Sequence, residues 1–362
     1  MKTSFFTSTL LWMGVGLIVM AITPRFIHSN YWLLVLAFVA INAILAVGLN
    51  LLMGYAGQVS LGHAAFYGIG AYTTAILTTQ HHVSPWLALP AGILLTCVIA
   101  YVVGVPCLRL HGHYLAMATL GFGWIVYIVL VQWDQVTLGT SGVENIPKLA
   151  IGWPEVLKEH YRMLTGFRWN AGPLVVFDND VKRFYLTWVV AIVLLGVSAN
   201  IVRSRVGRAL RALHSSENAA ATLGVDVSRY KTMVFVLSAG YAALAGSLYA
   251  HVVNFISPSV FGFIVSVGLV VMVVIGGMGS VWGAVVGAAT ITLLVEWLRD
   301  LGEVVPVFKE FDVIAHGLIL ILVMLFLPAG LTMGARELVL RWFRRRRPAP
   351  TPQPQPREVT RV

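Results

Sequence analysis

The chain is 362 residues long, 58% hydrophobic and only 11% charged, with a mean hydropathy of +0.82. Soluble domains carry about 25% charged residues, so this composition excludes an ordinary globular protein and predicts an all-α, polytopic integral membrane protein. The net charge of +10 calls for no nucleic acid. Much of the excess lies in residues 203–231 and in the run Arg344–Arg347, where the preference of basic residues for the cytoplasmic side of a membrane accounts for it.

In chain order, residues 5–22 form an apolar run behind Lys2. No small-x-small cleavage site follows before Pro24 and Arg25, so a retained first span is expected rather than a signal peptide. Residues 31–53 make a second, uncharged span. It runs into MGYAGQVSLGHAAFYGIGAY, where Gly54, Gly57, Gly62, Gly68 and Gly70 crowd together with Gln58, Ser60 and His63. Glycines at this density either break a helix or let helices approach closely, and polar side chains beside a break are satisfied by protein or water, not by lipid. Two readings stand: part of a translocation pathway, or a tightly packed small-residue interface. His63 alone decides nothing, since a buried histidine usually bonds to a neighbour.

Spans are expected over 62–79, 85–105 and 115–133, the last two joined by the turn CLRLHGHY, which carries Arg109. Residues 134–183 hold six acidic and six basic residues, a balance suited to an external loop. After a span over 184–202 comes the polar segment 203–231, with six basic residues (Arg203, Arg205, Arg208, Arg211, Arg229, Lys231) against Glu217 and Asp226. That bias marks a cytoplasmic loop. Within it, Ser215-Ser216 can cap a short helix with Glu217 in its first turn, and Gly224 is placed to stop it. Ala219-Ala220-Ala221 gives that helix a smooth face, suited to docking and not to lipid anchoring; the simpler reading is a basic connector serving topology alone.

Further spans are expected over 232–252, 260–275, 281–298 and 313–327. Between the second and third of these lies IGGMGSVWGAVVGA, whose Gly276, Gly277, Gly279, Gly283 and Gly287 echo the earlier glycine-rich stretch. Glu296 and Asp312, beside Arg299 and His316, read as structural anchors near external span ends. The count is about ten spans, which puts both termini on one side. Residues 1–333 form the membrane domain, and 334–362 a basic, Pro-rich cytoplasmic tail expected to be disordered.

The spans offer almost no mid-membrane carboxylate to couple transport to a cation gradient. The chain also lacks a G-x-x-x-x-G-K-[ST] phosphate loop, a G-x-S-x-G elbow and an H-E-x-x-H zinc pair. Neither Cys97 nor Cys107 fits a metal or disulfide pattern. An enzyme is the last expectation for want of a catalytic constellation, and no metal is expected.

Four separated stretches between about Ala43 and Gly330 carry a family resemblance. Glu217-Asn218-Ala219-Ala220 followed by Gly224 resembles the coupling loop of ABC importer permeases. The stretches GYAGQVSLGHAAFYGIGAY and IGGMGSVWGAVVGA resemble the permease subunits of branched-chain amino acid ABC transporters, and Thr140-Ser141-Gly142-Val143-Glu144 matches a third passage of that family in part. The resemblance implies the transmembrane permease of an ATP-driven importer of branched-chain or other hydrophobic amino acids. It implies a second permease subunit, two ABC ATPase subunits that hold the ATP, and a periplasmic or extracellular substrate-binding protein, in a bacterial cytoplasmic (inner) membrane. Glu217, Ala219, Ala220 and Gly224 would then couple to the ATPase. Gly57, Gln58, Ser60, Gly62, His63, Gly276, Gly277 and Gly279 are candidates for the pathway. A permease for urea or short amides, or a lone carrier or channel, are the alternatives. On this reading Ala220→Arg should reach the membrane yet fail to dock.

Overall fold

In the computed structural model, residues 23–27, 29–151, 175–177 and 179–304 are described, together with Gly14 and Met20. The expected spans 5–22 and 313–327, the pair Asp312–His316 and the tail from residue 334 lie outside these residues. So does much of the loop expected to be external.

The described chain is helical apart from a two-residue antiparallel ladder pairing Ala150–Ile151 with Val175–Val176. Helix α1 (Asn30–Asn50) continues through a π-helical turn, Leu51–Tyr55. It is followed by α2 (His63–Thr79), α3 (Pro85–Cys107), α4 (His113–Gln132) and the short α5 (Asp134–Thr137). Next come α6 (Asp180–Arg203), α7 (Arg205–Ser215), α8 (Glu217–Thr222) and α9 (Val227–Val253). Helices α10 (Phe263–Gly276) and α11 (Val281–Val304) close the described part.

Six helical segments among the described residues are long and apolar enough to cross a membrane, namely α1 with its π-turn, α3, α4, α6, α9 and residues 281–300 of α11. Helices α2 and α10 are shorter, at 17 and 14 residues. The expected total of about ten spans is therefore not reached among the described residues. The predicted positions of the described spans nonetheless agree with the helices within a few residues, because each is a run of apolar side chains broken by glycine, proline or charge.

Two helices form the core. Along α1 and its π-turn, Ala37, Ala40, Ala46, Leu49 and Leu51 are fully buried, and along α9 so are Ala239, Ala242, Ala243, Ala245 and Ala250. Helix α9 packs against α1, α2 and α3, and α1 against α6, α10 and α11. Small residues permit these approaches. A Cβ at Gly246 of α9 would meet the Tyr67 carbonyl oxygen of α2, and one at Gly70 of α2 would meet the backbone of Ala243. Between helices already surrounded by apolar lipid, such contact supplies the packing energy. Hydroxyls reinforce it: Ser238 donates to the Gly48 carbonyl at 2.8 Å and Ser247 to the Gly70 carbonyl at 3.2 Å.

The peripheral helices α3 and α4 carry outward Leu94, Val98, Tyr101, Met117, Ile125 and Ile128, a surface that only lipid or another apolar subunit can cover.

Connections α3–α4 and α6–α9 share one end of the bundle, since His111 meets Glu217 there. Segments 133–149 and 254–262 share the other, joined by paired backbone bonds between Val143 and Ile256. Glu296 lies at that second end, bonded to Tyr31 and 3.5 Å from Arg299. It is held by local partners, as expected of an anchor.

Candidate functional site

The two glycine-rich stretches meet. Helix α1 loses α-helical register at its π-turn, and the chain turns through residues 56–62 before α2 starts at His63. Gly57, at φ +71°, packs against His214 of α7. Helix α10 ends at Gly276, and Gly277 (φ +107°) and Gly279 (φ +75°) carry the chain round into α11. Both latter values suit glycine and strain other residues. Asn50 links the two turns: its Oδ1 accepts from the Gly279 N–H at 3.0 Å, and its Nδ2 donates to the Ser280 carbonyl at 2.8 Å. Gly276 packs on the Gly283 backbone across the α10–α11 hairpin. Gly279 thus lies against Asn50 and Gly54, at the end of α1 that leads into the Gly57–His63 stretch.

The start of α2 is wedged between α4 and α10. Leu61 N–H donates to Thr119 Oγ1 at 3.1 Å, and Ala64 N–H to Ser266 Oγ at 3.0 Å. A Cβ at Gly62 would meet the Thr119 carbonyl. Beside this wedge runs a cleft lined by Leu61, Ala64, Trp124, Tyr127, Phe263 and Ser266, with about 10 Å³ of free space. That is room for roughly one water, so the cleft is closed to anything larger.

Gln58, Ser60 and His63 are buried at 3%, 1% and 1% exposure. Yet Gln58 Nε2 and Oε1, Ser60 Oγ and His63 Nε2 find no hydrogen-bond partner among the described residues. Most buried polar side-chain atoms are bonded. Four orphaned atoms within six residues single out this stretch.

The candidates in residues 203–231 form a second group. Two helices, not one, lie wholly within residues 203–231. Ser204 caps α7, its Oγ accepting from Val206 N–H at 3.1 Å, and Ser216 caps α8, accepting from Ala219 N–H at 3.3 Å. Ser215 ends α7 instead of capping α8. Helix α7 was not foreseen. Its signal is the spacing of Leu210 and Leu213 beneath Arg205, Arg208 and Arg211, an amphipathic face. Gly224, at φ +81°, ends α8 as expected, and Asp226 caps α9 by accepting from Arg229 N–H at 3.0 Å.

Within α8, Ala219 and Ala221 are exposed and Leu223 beyond it is 81% exposed, whereas Ala220 is 1% exposed in the main core cluster. The expectation that Ala220 presents a docking face is thus corrected. A helix of small residues against its own bundle must bury one of them, and Ala220 is that one. Glu217 turns back toward the bundle, forming an ion pair with Lys231 of α9 and lying 3.4 Å from His111 Nε2. Lys231, expected among the solvated loop cations, is 4% exposed.

Sequence reasoning also missed a cluster at the opposite end. Asn254, in left-handed conformation after α9, donates from Nδ2 to the Ile146 carbonyl at 2.8 Å and accepts from Arg183 at 3.0 Å. His251 Nδ1 lies 2.7 Å from the Pro147 carbonyl. These contacts fix the segment after α4 onto the end of α9.

A family pattern described as "Branched-chain amino acid transport system / permease component" matches residues 31–327. The high-affinity branched-chain amino acid transport system permease protein LivM of Escherichia coli is 33% identical over 330 residues, covering 88% of this chain and 73% of the relative. The corresponding LivH of Salmonella typhimurium is 26% identical over 301 residues, covering 80% of this chain and 90% of the relative. BraD of Pseudomonas aeruginosa is 27% identical over 300 residues, with the same two coverages. No solved structure matches. With the family pattern spanning most of its length and its helices apolar enough to cross a bilayer, the chain belongs to the permease component family of branched-chain amino acid transport systems and is a multi-pass membrane protein.

Proposed function

We propose that the chain is one permease subunit of an ATP-driven importer of branched-chain or other hydrophobic amino acids. It pairs with a LivH-like second permease, two ABC ATPase subunits that bind and hydrolyse the ATP, and an external substrate-binding protein. The α7–α8 end faces the bacterial cytoplasm, and both termini lie on that side.

The observation that carries this reading is α8. A capped helix of six residues stands at one end of the bundle with Ala219, Ala221 and Leu223 outward, fastened at its first residue to a central span. That shape suits a knob for a partner's groove. The pathway runs past the junction of the two glycine turns, where Gln58, Ser60 and His63 offer polar groups that the described chain leaves unpaired. The adjoining cleft, lined by Leu61, Trp124, Tyr127 and Phe263, would have to widen to take an aliphatic side chain. The second permease covers outward faces of α3 and α4.

Purification from native membranes in mild detergent, followed by mass spectrometry and reconstitution, tests the reading. Two ATPases and a second permease should remain bound, and vesicles supplied with ATP should accumulate leucine, isoleucine or valine. A homo-oligomer without ATPase would overturn the reading in favour of a lone carrier or channel. Uptake of urea or short amides in place of these amino acids would overturn the substrate class alone.

A further inference from the structure

We propose that the Glu217–Lys231 ion pair is the brace through which motion of α8 enters the α9 span, so that losing it leaves the ATPase subunits bound but unable to drive transport. This rests on the reading of α8 as the docking element.

Helices α8 and α9 are joined by residues 223–226, and Gly224 within them sits at φ +81° with open space around it. A turn of this kind lets a short helix pivot. Glu217 is the first residue of α8 and Lys231 lies in the second turn of α9, so their contact bridges the pivot from its two far sides. The other carboxylate oxygen of Glu217 faces His111 Nε2 at 3.4 Å, which ties the α3–α4 turn to the same point. Three elements converge on one carboxylate.

Burial makes the pair hard to dispense with. Lysine is almost never fully buried unless paired, and the Lys231 side chain is 5% exposed against 34% for Glu217. Among the described residues, the carboxylate at ion-pair distance from Lys231 is Glu217. A cation held this way resists separation from its partner, because an unpaired charge in an apolar surrounding is costly. From Lys231 the load has a continuous route. Along α9, Ser238 bonds the Gly48 carbonyl of α1, Ser247 bonds the Gly70 carbonyl of α2, and Gly246 touches the Tyr67 backbone. Helices α1 and α2 flank the turn that holds Gln58 and Ser60, and α2 begins at His63.

The test uses the full complex in vesicles, with uptake of labelled leucine and ATP hydrolysis measured side by side. For Lys231→Met, co-purified ATPase should match wild type and basal hydrolysis should continue. Stimulation of hydrolysis by substrate-loaded binding protein should vanish, and uptake should fall about tenfold or more. Lys231→Arg should stay near wild type, and the exchange Glu217→Lys with Lys231→Glu should recover several-fold over Lys231→Met. Wild-type uptake by Lys231→Met would overturn the brace and leave the transport reading intact. Loss of ATPase binding, or loss of uptake that neither Lys231→Arg nor the exchange relieves, would reduce the pair to a packing role and also overturn it. Absence of ATP-driven uptake in the wild-type complex would instead overturn the functional reading.

Discussion

Asn50 holds Gly279 across a sequence separation of 229 residues, its side-chain oxygen 3.0 Å from the Gly279 N–H while its nitrogen donates to the next carbonyl. One amide side chain thereby pairs a turn N–H that no helix satisfies, and shares the Ser280 carbonyl with the Ala284 N–H. Asn50→Leu removes both bonds and leaves the part-buried Gly279 N–H unpaired, at up to about 3 kcal/mol, while the Ser280 carbonyl keeps its bond from the Ala284 N–H. The variant should melt at lower temperature in detergent than wild type, and an unchanged melting temperature would show that the turns are held by packing alone. Asn50→Asp keeps the acceptor but sets an oxygen against the Ser280 carbonyl, so it should fall between the two or below.

The two sides of α8 should respond differently to the same charge. Ala220→Arg forces a guanidinium into a site with 1% exposure, and an unpaired buried charge costs several kcal/mol. It should lower the amount of folded protein in the membrane. Leu223→Arg, at an 81% exposed position, should leave folding within about 0.5 kcal/mol of wild type and weaken ATPase co-purification. Membrane level and bound ATPase, measured for both variants, separate fold from docking.

Gln58→Leu, Ser60→Ala and His63→Leu each remove a buried polar group that has no partner among the described residues. Deleting such an atom removes a desolvation cost, so thermal stability should hold or rise. Uptake should drop or its KM change if these groups face the pathway. A clear loss of stability in any of the three would instead reveal a structural bond to a group outside the described residues.

Gly246→Ala places a methyl group on the Tyr67 carbonyl oxygen, and α2 and α9 must separate to admit it. Overpacking of this kind costs typically about 1–3 kcal/mol. The melting temperature should fall. Gly268→Ala, in α10 with open space around it, should be neutral and serves as the control.

By itself, the sequence determined where most described helices begin and end, because a bilayer demands long apolar runs and glycine, proline and charge interrupt them. It also determined the capped helix at Glu217 and its stop at Gly224, since capping is chemistry between near neighbours. Which residues of these elements face each other was decided by the tertiary structure. Nothing local distinguishes Ala220 from Ala219, or Lys231 from the loop arginines; the bundle buries the first of each and leaves the others to solvent. Asn50 in an otherwise apolar helix was a visible polar anomaly, yet its partner lies 229 residues away. The two glycine-rich stretches could be seen to resemble one another, and packing put them in contact. Side-chain direction and long-range pairing depend on how helices rotate and cross, and no window along a single chain contains that information.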